Sequence, residues 1–145
     1  MRSARLDLDS YVGVDVVQEL VDENNRRYGS SRYRFVKLDL TCQQLPRSDL
    51  IVCRDLLIHL SFRHALSVLR NFQRSGSTYL LCSNSPDQEL NAEIVTGSFR
   101  PLNLRAAPFT FASPERELSD CSSSETTPKS RKTMALWRLQ DLKLG

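Results

Sequence analysis

The chain has 145 residues, about one domain's length, and its 20 basic and 17 acidic side chains leave a net charge of only +3, too small and interspersed to indicate a nucleic-acid partner. No apolar run is long enough to span a membrane, so no membrane partner is predicted. The four cysteines form no Cys-x-x-Cys pair and there are only two histidines, which predicts a cytoplasmic protein with reduced thiols and no metal site.

The first apolar segment, residues 11–16, predicts a buried strand that delivers Asp15 to the start of an amphipathic helix at 17–28. In nucleotide-binding α/β folds, a carboxylate at this point accepts hydrogen bonds from ribose hydroxyls. The alternative is that Asp15 only caps the helix. We expect a ligand contact by Asp15.

The rest of the chain continues this alternation of strands and helices. Further strands are predicted at 34–40, 49–55, 78–83 and 134–139, and a second helix is predicted at 56–72. This order predicts an α/β fold with a Rossmann-like, mostly parallel sheet and helices on both faces. Residues 1–145 are expected to form a single domain.

Periodicity is lost after Asn84, although a short strand is predicted at 109–111. Residues 119–133 are polar and rich in Ser and Thr, which predicts a flexible loop. Because an apolar run containing Trp137 follows, this loop is expected to join two strands of a C-terminal antiparallel hairpin.

Three carboxylates, Asp15, Asp39 and Asp55, stand at or just beyond predicted strand ends. In an open parallel sheet, the ligand lies outside the carboxyl ends of the strands. Carboxylates there suit a nucleoside, because they accept hydrogen bonds from ribose hydroxyls and from an exocyclic amine. The alternative for each one is a helix cap.

Two further groups of residues are candidates for chemistry. Asp55 and His59 are four residues apart and would share a helix face, so the Asp55 carboxylate could orient His59 as a general base. The alternative is a capping pair with His59 packed on leucines. Arg54 could pair with Asp55, with Asp39 or with a ligand carboxylate. Arg100 and Asn103 are candidate substrate contacts, with a packed structural loop as the alternative.

The order and spacing of several of these segments resemble class I S-adenosylmethionine-dependent methyltransferases. The likeness covers residues 10–85, and the strand with Trp137 fits the family's closing antiparallel hairpin. The segments that carry it are Tyr11–Asp15, Arg34–Asp39, Leu45–Asp55 and Tyr79–Leu81. The resemblance implies S-adenosylmethionine as cofactor and methyl transfer to an unknown acceptor.

The resemblance also implies which residues contact the adenosine part of the cofactor. Asp15, with its neighbour Val16, would bind the ribose hydroxyls. Asp39 would lie at the adenine amine, with Leu40 beside the ring.

At the other end of the cofactor, the resemblance places Arg54 and Asp55 by its methionine part and the substrate. The family's first strand and glycine-rich loop have no counterpart, because residues 1–10 are too short and too polar to supply both. That strand is central in the family's sheet. We therefore expect an N-terminally incomplete domain that recruits a strand from residues 1–8 or from another molecule, and exposed strand edges that favour self-association.

The absent loop leaves a second function open, a non-catalytic binding or scaffold module with a methyltransferase fold. A nicotinamide dinucleotide enzyme is a third candidate. It is less favoured, because such enzymes also need the absent glycine turn.

Overall fold

The computed structural model of the chain describes residues 7–120 and 131–144. In chain order its elements are β1 (Tyr11–Asp15), α1 (Gln18–Tyr28), β2 (Tyr33–Lys37), β3 (Leu50–Cys53), a 3₁₀ turn (Leu57–His59), α2 (Phe62–Arg74), β4 (Tyr79–Asn84), β5 (Arg116–Ser119), β6 (Thr133–Arg138) and a second 3₁₀ turn (Leu139–Asp141). The chain divides into two compact units between Asp39 and Leu40, called here the first and the second unit.

The first unit is a βαβ element in which β1 and β2 pair in parallel, with Gly13 opposite Phe35. Glycine is needed at this position, because a Cβ atom on Gly13 would lie only 2.4 Å from the Phe35 ring. The ring packs against Tyr11 and Tyr28, with centroid distances of 5.8 and 6.4 Å. The absence of a side chain at Gly13 therefore makes room for the Phe35 ring on one face of this two-stranded sheet.

The outer edge of β2 is covered by a side chain of α1. Asn25 accepts a hydrogen bond from the Phe35 amide and donates one to the Phe35 carbonyl, at 2.8 and 2.7 Å. On the other side of this sheet, no strand among the described residues pairs with β1. The side-chain amide of Asn25 thus makes the two hydrogen bonds that a strand next to β2 would make with Phe35. Among the described residues, no strand does this for β1.

The second unit contains a four-stranded mixed sheet in the order β3-β4-β6-β5. β3 and β4 are parallel, whereas β6 is antiparallel to both β4 and β5. The predicted α/β class, the parallel strand pairing and the C-terminal antiparallel hairpin are confirmed.

The core of the second unit lies between this sheet, α2 and the irregular segment that follows β4. α2 is amphipathic and begins at the N-cap Ser61, whose hydroxyl accepts from the His64 amide. The fully or almost fully buried side chains include Ala65, Val68, Leu69 and Phe72 of α2, Leu80 and Cys82 of β4, and Leu102, Leu104 and Phe109 of the irregular segment.

Two of the predicted elements are wrong. The helix predicted at 56–72 is interrupted, because Leu60 is extended and Ser61 starts a new helix after a short 3₁₀ turn. Residues 109–111 form no strand, although Phe109 and Phe111 are buried in the core. Most of the predicted loop at 119–133 lies outside the described residues, but its ends, Ser119 and Thr133, are paired across the hairpin.

No helix among residues 7–120 and 131–144 has both the length and the apolar character needed to cross a membrane. Within the same ranges, Cys42, Cys53 and Cys82 are free thiols, and the last two are buried.

The contact between Gly13 and Phe35 generates a stability prediction. Gly13→Ala is expected to lower the free energy of unfolding by about 1–3 kcal/mol, because the new methyl group overlaps the ring and the aromatic neighbours limit how far the ring can move. Urea denaturation of the wild-type and variant proteins measures this difference. In the double variant Gly13→Ala/Phe35→Leu, the loss should be partly recovered. Equal midpoints for wild type and Gly13→Ala would contradict the prediction.

Candidate functional site

Asp15 ends β1 and is half-buried at the start of α1. Its Oδ1 atom accepts a hydrogen bond of 2.9 Å from the amide of Val17, which is the N-cap residue of α1. Asp15 therefore orders the turn that leads into the helix, but it is not itself the helix cap. Its Oδ2 atom forms no hydrogen bond within the described residues. The carboxylate can therefore hold the turn before α1 and still accept a hydrogen bond from a ligand.

A shallow cleft beside Asp15 has a volume of about 140 Å³ and is lined only by residues of the first unit. Sites for small-molecule ligands usually measure about 300–1,000 Å³. The cleft alone is too small for a whole nucleoside cofactor. Its lining residues are Tyr11, Gly13, Val14, Asp15, Val21, Asn24 and Phe35.

The other residues that the sequence assigned to adenosine are more exposed or lie in the second unit. Val16 is 56% exposed, and Asp39 is exposed two residues beyond the end of β2. Leu40 packs partly buried against the core of the second unit. The cofactor contacts of all three stay predictions.

Asp55 follows β3 with a left-handed backbone, at φ of 59°. Its amide donates to the Ser83 hydroxyl, and that hydroxyl donates back to Asp55 Oδ1, both at 2.9 Å. Lys132 Nζ lies 2.7 Å from Oδ1 and 2.8 Å from Oδ2 of the same carboxylate. These contacts fix an unusual backbone conformation at the carboxyl end of β3.

Arg54 and Asp120 extend this network to the β5–β6 hairpin. Arg54 donates to both carboxylate oxygens of Asp120, at 2.9 and 3.3 Å. Lys132 also reaches Asp120, at 3.3 Å, so its ammonium is shared by two carboxylates. We call Arg54, Asp55, Asp120 and Lys132 the ion-pair network.

The electrostatics of the network favour its charged form. Burial raises the pKa of Asp55, but hydrogen bonds from Lys132 and Ser83 outweigh this effect and hold the pKa below its ordinary value. Burial lowers the pKa of Lys132, but its hydrogen bonds to Asp55 and Asp120 raise it overall. Asp55 is therefore an ionised carboxylate whose charge is already balanced from within the chain.

The sequence did not identify Ser83, Asp120 or Lys132 as partners of Asp55, and it assigned the last two to a flexible loop. The predicted hairpin was the one feature of the sequence from which the pairing of Asp120 with Lys132 could have been found. Because Ser119 pairs with Thr133, the next residues outward, Asp120 and Lys132, face each other with opposite charges.

The expected pairing of His59 with Asp55 on one helix face is wrong. The left-handed Asp55 is outside any helix, and His59 ends a 3₁₀ turn. His59 Nδ1 donates to the Ser98 carbonyl at 2.8 Å, and its ring lies 5.8 Å from that of Phe99. Within residues 7–120 and 131–144, no carboxylate contacts His59 to orient it as a general base.

Asn103 is buried in the irregular segment. Its Nδ2 atom donates to the carbonyls of Pro86 and Gln88, and its Oδ1 atom accepts from the Arg105 amide. Through these hydrogen bonds, Asn103 stabilises the conformation of the irregular segment. Its contact with a substrate stays a prediction.

Arg100 is also buried, with only 3% of its surface exposed. Its Nη1 atom donates to the Leu60 carbonyl at 2.7 Å, and its guanidinium carbon lies 4.7 Å from the centre of the Phe62 ring. Arg100 therefore lies at the start of α2.

Removal of the shared cation tests the ion-pair network. At pH 7, Lys132→Met is expected to lower the free energy of unfolding by about 1 kcal/mol, near the upper end for a half-exposed ion pair. Because the pKa of Asp55 is lowered in the folded state, this stabilisation is present above the unfolded pKa of about 3.9 and is lost as pH falls through the folded value. The raised pKa of Lys132 carries the stabilisation to about pH 10 before it is lost at higher pH.

Urea denaturation at pH 7 and pH 3 measures this pH dependence, with Lys143→Met as the control at an exposed lysine. A stability difference that is the same at both pH values would show that Lys132 acts through packing rather than through charge.

No protein-family model and no curated protein sequence matches the chain. Solved structures do match it. One is a TehB-like SAM-dependent methyltransferase from Corynebacterium glutamicum, at 19% identity and a TM-score of 0.57 over 88% of this chain and 66% of that one. A second is the magnesium protoporphyrin IX methyltransferase ChlM from Synechocystis PCC 6803 with bound SAM, at 16% identity and a TM-score of 0.57 over 86% of this chain and 57% of that one. A third is PigF with SAH, at 17% identity and a TM-score of 0.57 over 89% of this chain and 43% of that one.

The chain thus spans between 43% and 66% of the length of these three proteins. The likeness confirms at the level of fold what the sequence resemblance implied. The chain has the fold of SAM-dependent methyltransferases.

Proposed function

We propose that this chain binds S-adenosylmethionine and serves methyl transfer to an acceptor that is not yet identified. Support comes from the fold and from the ligands of two structures that share it, bound SAM in ChlM and SAH in PigF. The observation that carries the proposal is the Asp15 carboxylate at the carboxyl end of β1, whose Oδ2 atom accepts no hydrogen bond from the described part of the chain.

Asp15 fits a ribose diol in both position and chemistry. It is held in place by the Val17 amide, and Oδ2 is left to accept a hydrogen bond. An ionised acceptor forms a stronger hydrogen bond with a hydroxyl than a neutral one does. We assign Asp15 to the ribose hydroxyls, and the roles of Val16 and Asp39 in adenosine binding follow as part of the same proposal.

S-adenosylmethionine, when bound, supplies a methyl group on a sulfonium centre. The contribution of the protein to such a reaction is alignment of the acceptor and a fitting electrostatic environment. In the second unit, Arg54 and Asp55 are the charged residues that the sequence assigned to this end of the cofactor. Each of them already has a charged partner, Asp120 for Arg54 and Lys132 for Asp55.

This internal neutralisation favours a second candidate function, binding without transfer. A cationic group of a ligand would have to compete with Lys132 for Asp55, since the ammonium lies within 2.8 Å of both carboxylate oxygens. A methyltransferase-fold module that binds the cofactor through Asp15 and uses the ion-pair network only for stability is consistent with this geometry.

Calorimetric titration with S-adenosylhomocysteine tests the proposal. Asp15→Asn is the informative variant, because the asparagine oxygen can still accept from the Val17 amide while the charge is lost. We expect about a tenfold or greater loss of affinity, equivalent to about 1.4 kcal/mol, for the loss of a charged acceptor to a hydroxyl.

Asp22→Asn is the matched control, because Asp22 is an exposed carboxylate of α1 that bonds to Gln18. Wild-type protein that gives no heat with S-adenosylhomocysteine would refute cofactor binding. Equal affinities of wild type and Asp15→Asn would refute the role of Asp15. Binding of NADH in its place would favour the dinucleotide alternative.

A further inference from the structure

The guanidinium of Arg100 is a buried cation with unused donors. The residue is 3% exposed, and an arginine keeps its proton even when buried. Nη1 is satisfied by the Leu60 carbonyl, but Nε and Nη2 are buried and have no hydrogen-bond partner among the residues that the structure describes. Buried N–H groups without acceptors are rare in folded proteins, and those of a charged group are rarer still.

The two unsatisfied nitrogens are not an arbitrary pair. Nε–H and one N–H of Nη2 point in the same direction along one side of the planar guanidinium. This is the fork that takes both oxygens of a carboxylate or phosphate in two parallel hydrogen bonds. The donor outside this fork, Nη1, is the one that the protein uses for itself.

The surroundings of the fork also favour an anion. Arg100 lies at the N-terminus of the 13-residue helix α2, where the helix dipole attracts negative charge. One carboxylate is already present there. Glu93 Oε1 accepts from the amides of Phe62 and Ile94, at 2.9 and 2.8 Å, but Glu93 forms no hydrogen bond with Arg100.

We propose that the free fork of Arg100 binds the carboxylate or phosphate group of a ligand at the start of α2. Because both nitrogens are buried, the segment that covers them must shift to admit the ligand. The neighbouring residues 95–99 are exposed, and two backbone hydrogen bonds, from Gly97 to His59 and from Arg100 to Ile58, attach this stretch to the 3₁₀ turn. This inference goes beyond the proposed function and does not depend on cofactor binding.

Nitrogen-15 NMR of the arginine Nε–H groups tests the proposal directly on the whole chain. The resonance of Arg100 is assigned by its loss in Arg100→Lys, and acetate, benzoate and inorganic phosphate are titrated against sodium chloride of equal ionic strength. We expect a saturable shift of the Arg100 resonance that chloride does not produce and that the exposed Arg63 does not show. A response to acetate and benzoate alone identifies a carboxylate ligand, and a response to phosphate alone identifies a phosphate ligand.

Glu93→Gln supplies an independent variant that keeps Arg100. The glutamine oxygen can still accept from the Phe62 amide, but the competing negative charge is gone, so the anion should bind about two- to fivefold more tightly. Glu89→Gln is the control at an exposed carboxylate and should leave the affinity unchanged. No saturable shift with any of the three anions, or an equal shift with chloride, would overturn the proposal. An unchanged affinity in Glu93→Gln would overturn the placement of the anion beside α2.

Discussion

The second unit depends on β4, the strand whose backbone is paired with β3 on one edge and with β6 on the other. Its side chains from Leu80 to Asn84 are mostly buried, so the strand is both the middle of the sheet and part of the core. Its last two residues then organise what surrounds it. Ser83 holds the backbone and carboxylate of Asp55, and Asn84 Oδ1 accepts from the Leu104 amide to dock the irregular segment. The same strand thus determines the stability of the unit and the geometry of its charged residues.

The sequence predicted best those elements whose signal is local. The apolar runs of β1, β3, β4 and β6 and the amphipathic α1 are visible in short windows, and the structure contains all of them. β5 could not be predicted, because its four residues are all exposed and it is a strand only through its pairing with β6. The interrupted helix and the partners of Asp55 were missed for a related reason. The left-handed backbone of Asp55 depends on Ser83, 28 residues later, and its charge is balanced by Lys132, 77 residues later.

Two charges of the second unit, the half-buried Asp55 and the buried Arg100, have opposite environments. Asp55 is surrounded by donors, which together overcome the effect of burial on its pKa. Arg100 is more deeply buried, and burial lowers its pKa while the nearby Glu93 only partly offsets this effect. The charge of Asp55 is balanced from within the chain, whereas Arg100 keeps donors that are available to an external acceptor. The ion-pair network therefore has a structural role in this geometry, whereas Arg100 is the residue with donors left for a ligand.

The side-chain amide of Asn25 determines at which edge the small sheet of the first unit can pair with another strand. By occupying the backbone groups of Phe35, it prevents a further strand from pairing along the middle of β2. The backbone ladder between β1 and β2 uses Tyr11 and Asp15, so the alternate residues Val12 and Val14 direct their backbone groups to the opposite edge. Any strand added to this sheet, from this chain or another, must therefore join beside β1. The side chain of Asn25 therefore leaves only the β1 edge of this two-stranded sheet open to strand addition.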